Sequence, residues 1–172
     1  AAGAHEHGTA GKMPGVSFIF VGRMREKHYE SAFAEYIKRL GAYGKCEVRE
    51  ITEQRLGERP SEREIESALS REAQELERAI PKGAYVCALC VEGEMCSSEQ
   101  LAQRLQALDT RGVSRICFIV GGSYGLDEGF KRRADFRLSM SRMTFPHHLA
   151  RVMLAEQVYR AFTINAGTRY HK

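Results

Sequence analysis

The chain has 172 residues, 43% hydrophobic and 28% charged, with a formal net charge of +4. A chain of this length buries a core without disulfide or metal staples, and its composition is that of an ordinary globular protein. No run approaches the ~20 apolar residues of a membrane-spanning helix.

Residues 1–15 are rich in Ala and Gly, lack periodicity and have no apolar signal-peptide stretch, so they read as a disordered leader. Residues 16–172 read as a single domain. Residues 16–21 form a first strand, closed by Gly22. Over 26–43, Tyr29, Phe33, Ile37 and Leu40 recur on one helical face. A strand over Cys46–Ile51 and a polar loop over 54–60 follow. Ser61-Glu62-Arg63-Glu64 has the pattern of a capping box, and Ile65, Leu69, Leu76 and Ile80 continue a helical stripe until Pro81. Residues 85–91 read as a strand. Ser97 and Gln100 open a helix that carries Leu101, Leu105 and Leu108. Arg115–Val120 is the next strand, then come a short helix over 127–134, a strand over 136–140 and a last helix over 147–163. Strands alternating with helices predict an α/β fold with a largely parallel sheet covered on both faces. Ligands of such sheets lie beyond the carboxyl ends of the strands, where Gly93, Gly121-Gly122 and segment 141–146 fall.

Five cysteines, an odd number without a secretory signal, point to a reducing cytoplasm rather than a disulfide framework. Cys87 and Cys90 form a C-x-x-C within a strand. Residues three apart on a strand face opposite sides, so the two sulfurs do not share a metal and read as small apolar groups. From Arg115 onward the chain carries ten Lys/Arg against four Asp/Glu, and before it sixteen against eighteen. That asymmetry predicts a basic, polyanion-binding surface in the C-terminal part, unless the cations merely solvate helix faces.

Gly121-Gly122-x-x-Gly125 is neither the dinucleotide fingerprint nor a Walker loop. It is a tight turn, or a backbone against which a flat ligand lies closely. Pro146-His147 opens the last helix, whose positive end favours a neutral His147 and a docked anion, unless His147 and His148 are cap or surface residues. Arg151 follows one turn later on the same face, placed to grip a phosphate or a developing base anion. Glu156 and Arg160 read as a surface ion pair. After the stop at Asn165-Ala166-Gly167, the ending Arg169-Tyr170-His171-Lys172 either frays or offers a Tyr-His pair that stacks on a base.

Taken in order, these motifs closely resemble the small SPOUT-class methyltransferases that methylate a pseudouridine of large-subunit ribosomal RNA (the RlmH family), over about residues 16–172. The resemblance implies an α/β SPOUT sheet with a C-terminal deep trefoil knot. It implies transfer of a methyl group from S-adenosylmethionine to N3 of a pseudouridine in 23S rRNA of the assembled ribosome. The cofactor would be wrapped by Leu89, Gly121, Gly122 and the loop Ser141, Arg142, Met143, Thr144, Phe145 and Pro146. His147, Arg151, Tyr170 and His171 would act on the nucleotide. It implies a cytoplasmic homodimer packed through residues 152–161, with no metal and no membrane. Another RNA position, ribose rather than base, or a non-catalytic ribosome-binding module stay open. Ser123-Tyr124 fills the variable pair of the glycine loop, and His148 stands where well-known members carry Pro.

Overall fold

Alternating side chains sort the strand residues onto two buried faces. In a computed structural model, which describes residues 13–172, five strands form one parallel sheet in the order β2-β1-β4-β3-β5. They are β1 (Gly15–Val21), β2 (Cys46–Ile51), β3 (Tyr85–Met95), β4 (Arg115–Val120) and β5 (Phe136–Ser139). Residues 1–12 of the expected leader lie outside the described residues.

Phe18, Phe20, Ile116 and Phe118 face the layer of α1 (Lys27–Leu40), α3 (Ser98–Thr110) and α5 (His147–Ala166). Ile19, Val21, Cys117 and Ile119 face the opposite layer, where Leu76 of α2 (Glu62–Ala79) and Phe130 of the short α4 (Glu128–Arg133) pack. Inner strands covered on both sides are continuous apolar runs, whereas the edge strand β2 keeps four exposed residues between half-buried ends.

Both capping boxes form. Ser61 Oγ accepts from Glu64 N at 3.1 Å while Glu64 Oε1 accepts from Ser61 N at 3.2 Å, and Ser97 and Gln100 repeat the exchange at 3.1 and 2.8 Å. The buried face of α2 is Ala68, Glu72 and Leu76, rotated from the expected stripe. Ile65, Leu69 and Ile80 are only half-buried. A carboxylate in mid-face hid this from a purely hydrophobic reading.

Two elements outrun expectation. β3 continues to Met95 through an irregular step at which its pairing with β5 jumps from Leu89 to Glu94, so residues 90–93 bow out of the sheet. α5 continues to Ala166 and ends at Gly167, whose φ of 71° is the left-handed conformation that terminates helices. From His147 to Asn165 no residue of α5 is fully exposed, because the helix lies on the sheet between α1 and α3. The helix over 152–161 was expected to pack against a second subunit. Its Leu154, Ala155, Val158 and Ala161 are buried in the protomer's own core, and Val152, Met153, Tyr159 and Arg160 stay half-exposed. A helix apolar all round has the same sequence pattern in a core and at an interface.

Val158→Glu should therefore prevent folding rather than yield a soluble monomer, because it buries an unpaired charge at a cost on the order of 5 kcal/mol. Circular dichroism and sedimentation check this; a folded, monomeric variant would place Val158 against a partner.

Candidate functional site

The carboxyl ends of β3, β4 and β5 surround a cavity of about 580 Å³, a size that suits a small organic ligand. Leu89, Val120, Leu126, Met140 and Phe145 give it apolar walls, and Gly121 and Gly122 lie along its backbone side. Of the loop expected to wrap a cofactor, Ser141, Met143, Thr144, Phe145 and Pro146 line the cavity, and His147 closes one end. Arg142 is exposed and lines neither this cavity nor the cleft described below. The bulge of β3 contributes Cys90, Val91 and Glu92, which periodicity did not reveal. Lys131 of α4 also lines the cavity, and its Nζ meets Glu92 at 2.5 Å and Glu128 at 3.2 Å. Ser139 Oγ stands 2.8 Å from Val91 O and 3.0 Å from Ser141 O, donating to one at a time, and so ties the bulge to the loop after β5.

The glycine loop is shaped by its own chain. A Cβ on Gly121 would lie 2.4 Å from Gly125 O, and one on Gly122 would lie 2.6 Å from Glu53 Oε1. Glu53 accepts the Ser123 N–H at 2.9 Å. Gly122 therefore makes room for a carboxylate from the β2 end as well as lining the cavity.

Beyond the ends of β1 and β2 lies a second, polar cleft of about 670 Å³. Ser123 and His147 line both spaces, so the two are adjacent there. Arg23, Arg25 and Arg55 line the cleft with exposed side chains, and none forms an ion pair among the described residues. Tyr124, 47% exposed, stands at its rim. Glu72, buried on α2, accepts the Gln54 N–H at 2.8 Å and holds the wall that carries Arg55; burial pushes its carboxyl above the usual range. The strand-end rule that singled out Gly93, Gly121-Gly122 and 141–146 applies equally to β1 and β2, and would have found this cleft.

His147 is the first residue of α5 and Pro146 its cap, whose carbonyl accepts the Ala150 N–H at 2.9 Å. Burial, then neighbouring His148 and Arg151, hold the His147 imidazole below its ordinary pKa of 6.5. His148 is depressed too, by burial and Arg151, and its ring meets that of His147 at 4.2 Å. His147 is therefore neutral at pH 7 and able to accept a proton.

Arg151 is not where the sequence put it. Its side chain is fully buried and lines neither space. Nη2 donates to Val21 O at 2.7 Å and Gly22 O at 2.8 Å, Nη1 donates to Glu50 Oε2 at 3.2 Å, and the guanidinium lies 4.6 Å from the Phe20 ring centroid. It grips the end of β1 rather than a phosphate, because α5 lies flat on the sheet and turns this position inward.

Tyr170 and His171 also line neither space. The Tyr170 hydroxyl donates to Glu156 Oε1 at 3.1 Å, and its ring packs 4.7 Å from that of Tyr159. Burial, the Tyr36 hydroxyl and the Glu156 carboxylate push the phenol up to about 12. His171 meets Arg160 at 3.1 Å and Glu99 at 2.7 Å. Glu156 and Arg160, only 17% and 25% exposed, thus form the clamp that docks the tail rather than a simple surface pair. Glu156 is nine residues from His147, roughly 13 Å along the helix.

The charge asymmetry also resolves differently. Of the ten cations from Arg115 onward, Arg115, Lys131, Arg133, Arg151 and Arg160 are ion-paired. The arginines that face the cleft come from the N-terminal half. Among the described residues no His, Cys, Asp and Glu side chains are grouped to hold a metal.

A family model described as "Predicted SPOUT methyltransferase" matches residues 15–171. The chain belongs to the SPOUT methyltransferase family. It is 44% identical over 157 residues to proteins named ribosomal RNA large subunit methyltransferase H in Bacillus pumilus (strain SAFR-032) and Bifidobacterium adolescentis, covering 91% of this chain and 99% of each relative. Among solved structures, a probable methyltransferase of Bordetella pertussis Tohama I aligns over 87% of this chain and 97% of its own, with TM-score 0.53 and 13% identity, a likeness of fold.

Arg151→Met keeps much of the side-chain length and removes the donors to Val21 O, Gly22 O and Glu50. It should cost on the order of 2–5 kcal/mol in a urea unfolding titration, where a guanidinium that served only a phosphate would leave stability unchanged.

Proposed function

We propose that this SPOUT methyltransferase transfers a methyl group from S-adenosylmethionine to N3 of a pseudouridine in 23S rRNA. The observation that carries the reading is the meeting of an apolar cavity and a polar, arginine-lined cleft at His147 and Ser123. The names of the two relatives, which match nearly the whole chain, support large-subunit rRNA as the substrate. The cavity fits the cofactor in size and character, with apolar walls for a flat ring and glycine backbone for close approach. Leu89, Gly121, Gly122 and residues 143–146 would hold it there.

Bound in that cavity, S-adenosylmethionine would supply an electrophilic methyl group on its sulfonium sulfur, to be passed to N3 with the thioether as leaving group. N3 of a uracil-type ring carries a proton whose pKa lies well above neutrality, so attack needs that proton removed. His147, neutral and shared by both spaces, receives it. Arg151 acts through position: it fixes the end of β1 opposite His147. No residue role requires a metal.

The docked tail bears on assembly. Tyr170 and His171 lie beside Glu156 and Arg160, about three helical turns from the catalytic end of their own α5. For them to act on the nucleotide at His147, the tail of a second copy must supply them. The homodimer therefore rests on this separation, with the half-exposed residues Val152, Met153, Tyr159 and Arg160 of α5 available at its contact. Action on the assembled ribosome, in the cytoplasm, completes the reading, since so small a chain leaves much of the selection to the shape of its substrate. The trefoil threading of the C-terminal segment belongs to the same proposal, supported by membership of the SPOUT family.

The test is methylation of ribosomes from a strain lacking the activity, with the modified nucleotide mapped by mass spectrometry. Unmodified rRNA, or a methyl group on ribose or another base, would overturn the assignment. In the same assay, turnover should be flat near neutral pH and fall on acidification only below 6.5, as His147 takes up the proton that blocks it. His147→Ala should lower turnover by about 10²–10⁴ and remove that acid limb.

For the shared site, His147→Ala protomers mixed with protomers lacking residues 170–172 should recover activity that neither has alone, because one mixed site keeps both parts. A mixture as inactive as its two parents, measured by radiolabelled methyl transfer, would overturn the shared site, and full activity of the protomers lacking residues 170–172 would place the tail outside catalysis.

A further inference from the structure

We infer that the cleft beyond β1 and β2 is a phosphate track, in which Arg23, Arg25 and Arg55 hold the RNA backbone beside the nucleotide that reaches His147. The inference rests on the RNA-methyltransferase reading and adds the residues that bind the polyanion. Neither charge asymmetry nor motif pointed to these arginines.

Position comes first. The cleft and the cavity share His147 and Ser123 in their walls, so a strand held in the cleft lies beside the His147 end of the cavity. Its charge is of the right kind. Three exposed guanidiniums line it, and none has an ion-pair partner among the described residues. The two carboxylates in the lining are already engaged. Glu50 Oε2 accepts the Met24 N–H at 2.7 Å and a bond from Arg151 at 3.2 Å, and Glu53 Oε1 accepts the Ser123 N–H at 2.9 Å. These carboxylates organise backbone, while the arginines are left for an anion.

The walls are held independently of any ligand. Arg151 and Glu50 fix the loop that carries Arg23 and Arg25, from the carbonyls of Val21 and Gly22 to the amide of Met24. Buried Glu72 fixes the amide of Gln54, next to Arg55. Side chains that project from a fixed backbone lose less freedom on binding than those on a mobile loop. Tyr124 at the rim offers an aromatic face to an unstacked base. Guanidinium donors suit phosphate oxygens in paired, planar contacts.

The experiment compares three full-length proteins: wild type, Arg23→Ala/Arg25→Ala/Arg55→Ala, and a charge-matched control, Arg63→Ala/Arg71→Ala/Lys82→Ala. The control cations are exposed, lie outside the cleft and form no ion pair among the described residues. Thermal melts establish that each protein is folded, and calorimetry gives its affinity for S-adenosylmethionine. Binding to purified 70S ribosomes and to naked 23S rRNA is then measured by co-sedimentation at several salt concentrations. The cleft variant should bind both about tenfold more weakly, with a slope of log K against log salt shallower by about two. The control should stay near wild type, and cofactor affinity should be unchanged in all three. Cleft and control variants that bind alike would overturn the track. A loss on ribosomes with full binding to naked 23S rRNA would assign the arginines to an acidic ribosomal protein and overturn it too. Binding is read directly, so the result stands whatever nucleotide is methylated; a failed methyltransferase reading shows instead as unmodified rRNA by mass spectrometry.

Discussion

The buried guanidinium of Arg151 is the constraint on which both spaces depend. A cation withdrawn from water is costly unless its donors are met. Here three bonds engage its two terminal nitrogens, to Val21 O, Gly22 O and Glu50, Nε has no partner among the described residues, and Phe20 lies within cation–π distance. Glu50 in turn holds Met24 N. Helix α5, strand β1, strand β2 and the loop after β1 are thereby joined at one point. Gly22 takes part for a specific reason: its φ of 93° turns the chain just where its carbonyl must meet the guanidinium. Arg151 also helps hold His147 neutral, so one side chain sets both the geometry and the protonation of its neighbour.

Around that point, charge is divided by task. Glu53 reaches across to Ser123 N and joins the β2 end to the glycine loop, while Glu72 holds Gln54 N from below. Acidic side chains thus serve as backbone anchors where strand ends leave amides without a ladder partner. This leaves the cavity beyond β3, β4 and β5 largely apolar and the cleft lined by arginines, although they lie side by side. Desolvation on the cavity side lowers the pKa of His147, and on the other side the arginines stay exposed without ion-pair partners among the described residues.

Element order, both capping boxes and the two-faced sheet were legible in the sequence because each rests on local chemistry: period-two alternation, Ser with Glu or Gln three residues on, glycine at a helix stop. The cavity-lining residues Leu89, Gly121, Gly122 and 143–146 were legible through the family resemblance and the strand-end rule together. What failed needed tertiary information. Arg151 shares a helical side with His147, but only the way α5 lies on the sheet decides whether that side meets solvent or core. Arg142 lies within the expected loop yet points away from it. Glu72 was not singled out at all, since its burial is tied to an amide 18 residues away in sequence. Net charge on either side of Arg115 is incomplete for the same reason: pairing, which sequence does not display, engages five of the ten C-terminal cations.

Helix α5 works as a rigid spacer. At one end His147 stands where cavity and cleft meet; further along, Glu156 and Arg160 take up the tail that returns past Gly167. A helix packed on both flanks by α1 and α3 cannot bend to bring these together. Within one chain the Tyr-His pair is therefore held away from His147 by the helix that carries both His147 and the tail's partners. A tail that were merely frayed would not present three linked contacts, to Glu156, Arg160 and Glu99. In the proposed dimer this docking gains a purpose: each protomer holds its tail in a fixed place for its partner, and the length of α5 sets how far apart the two copies' sites must lie.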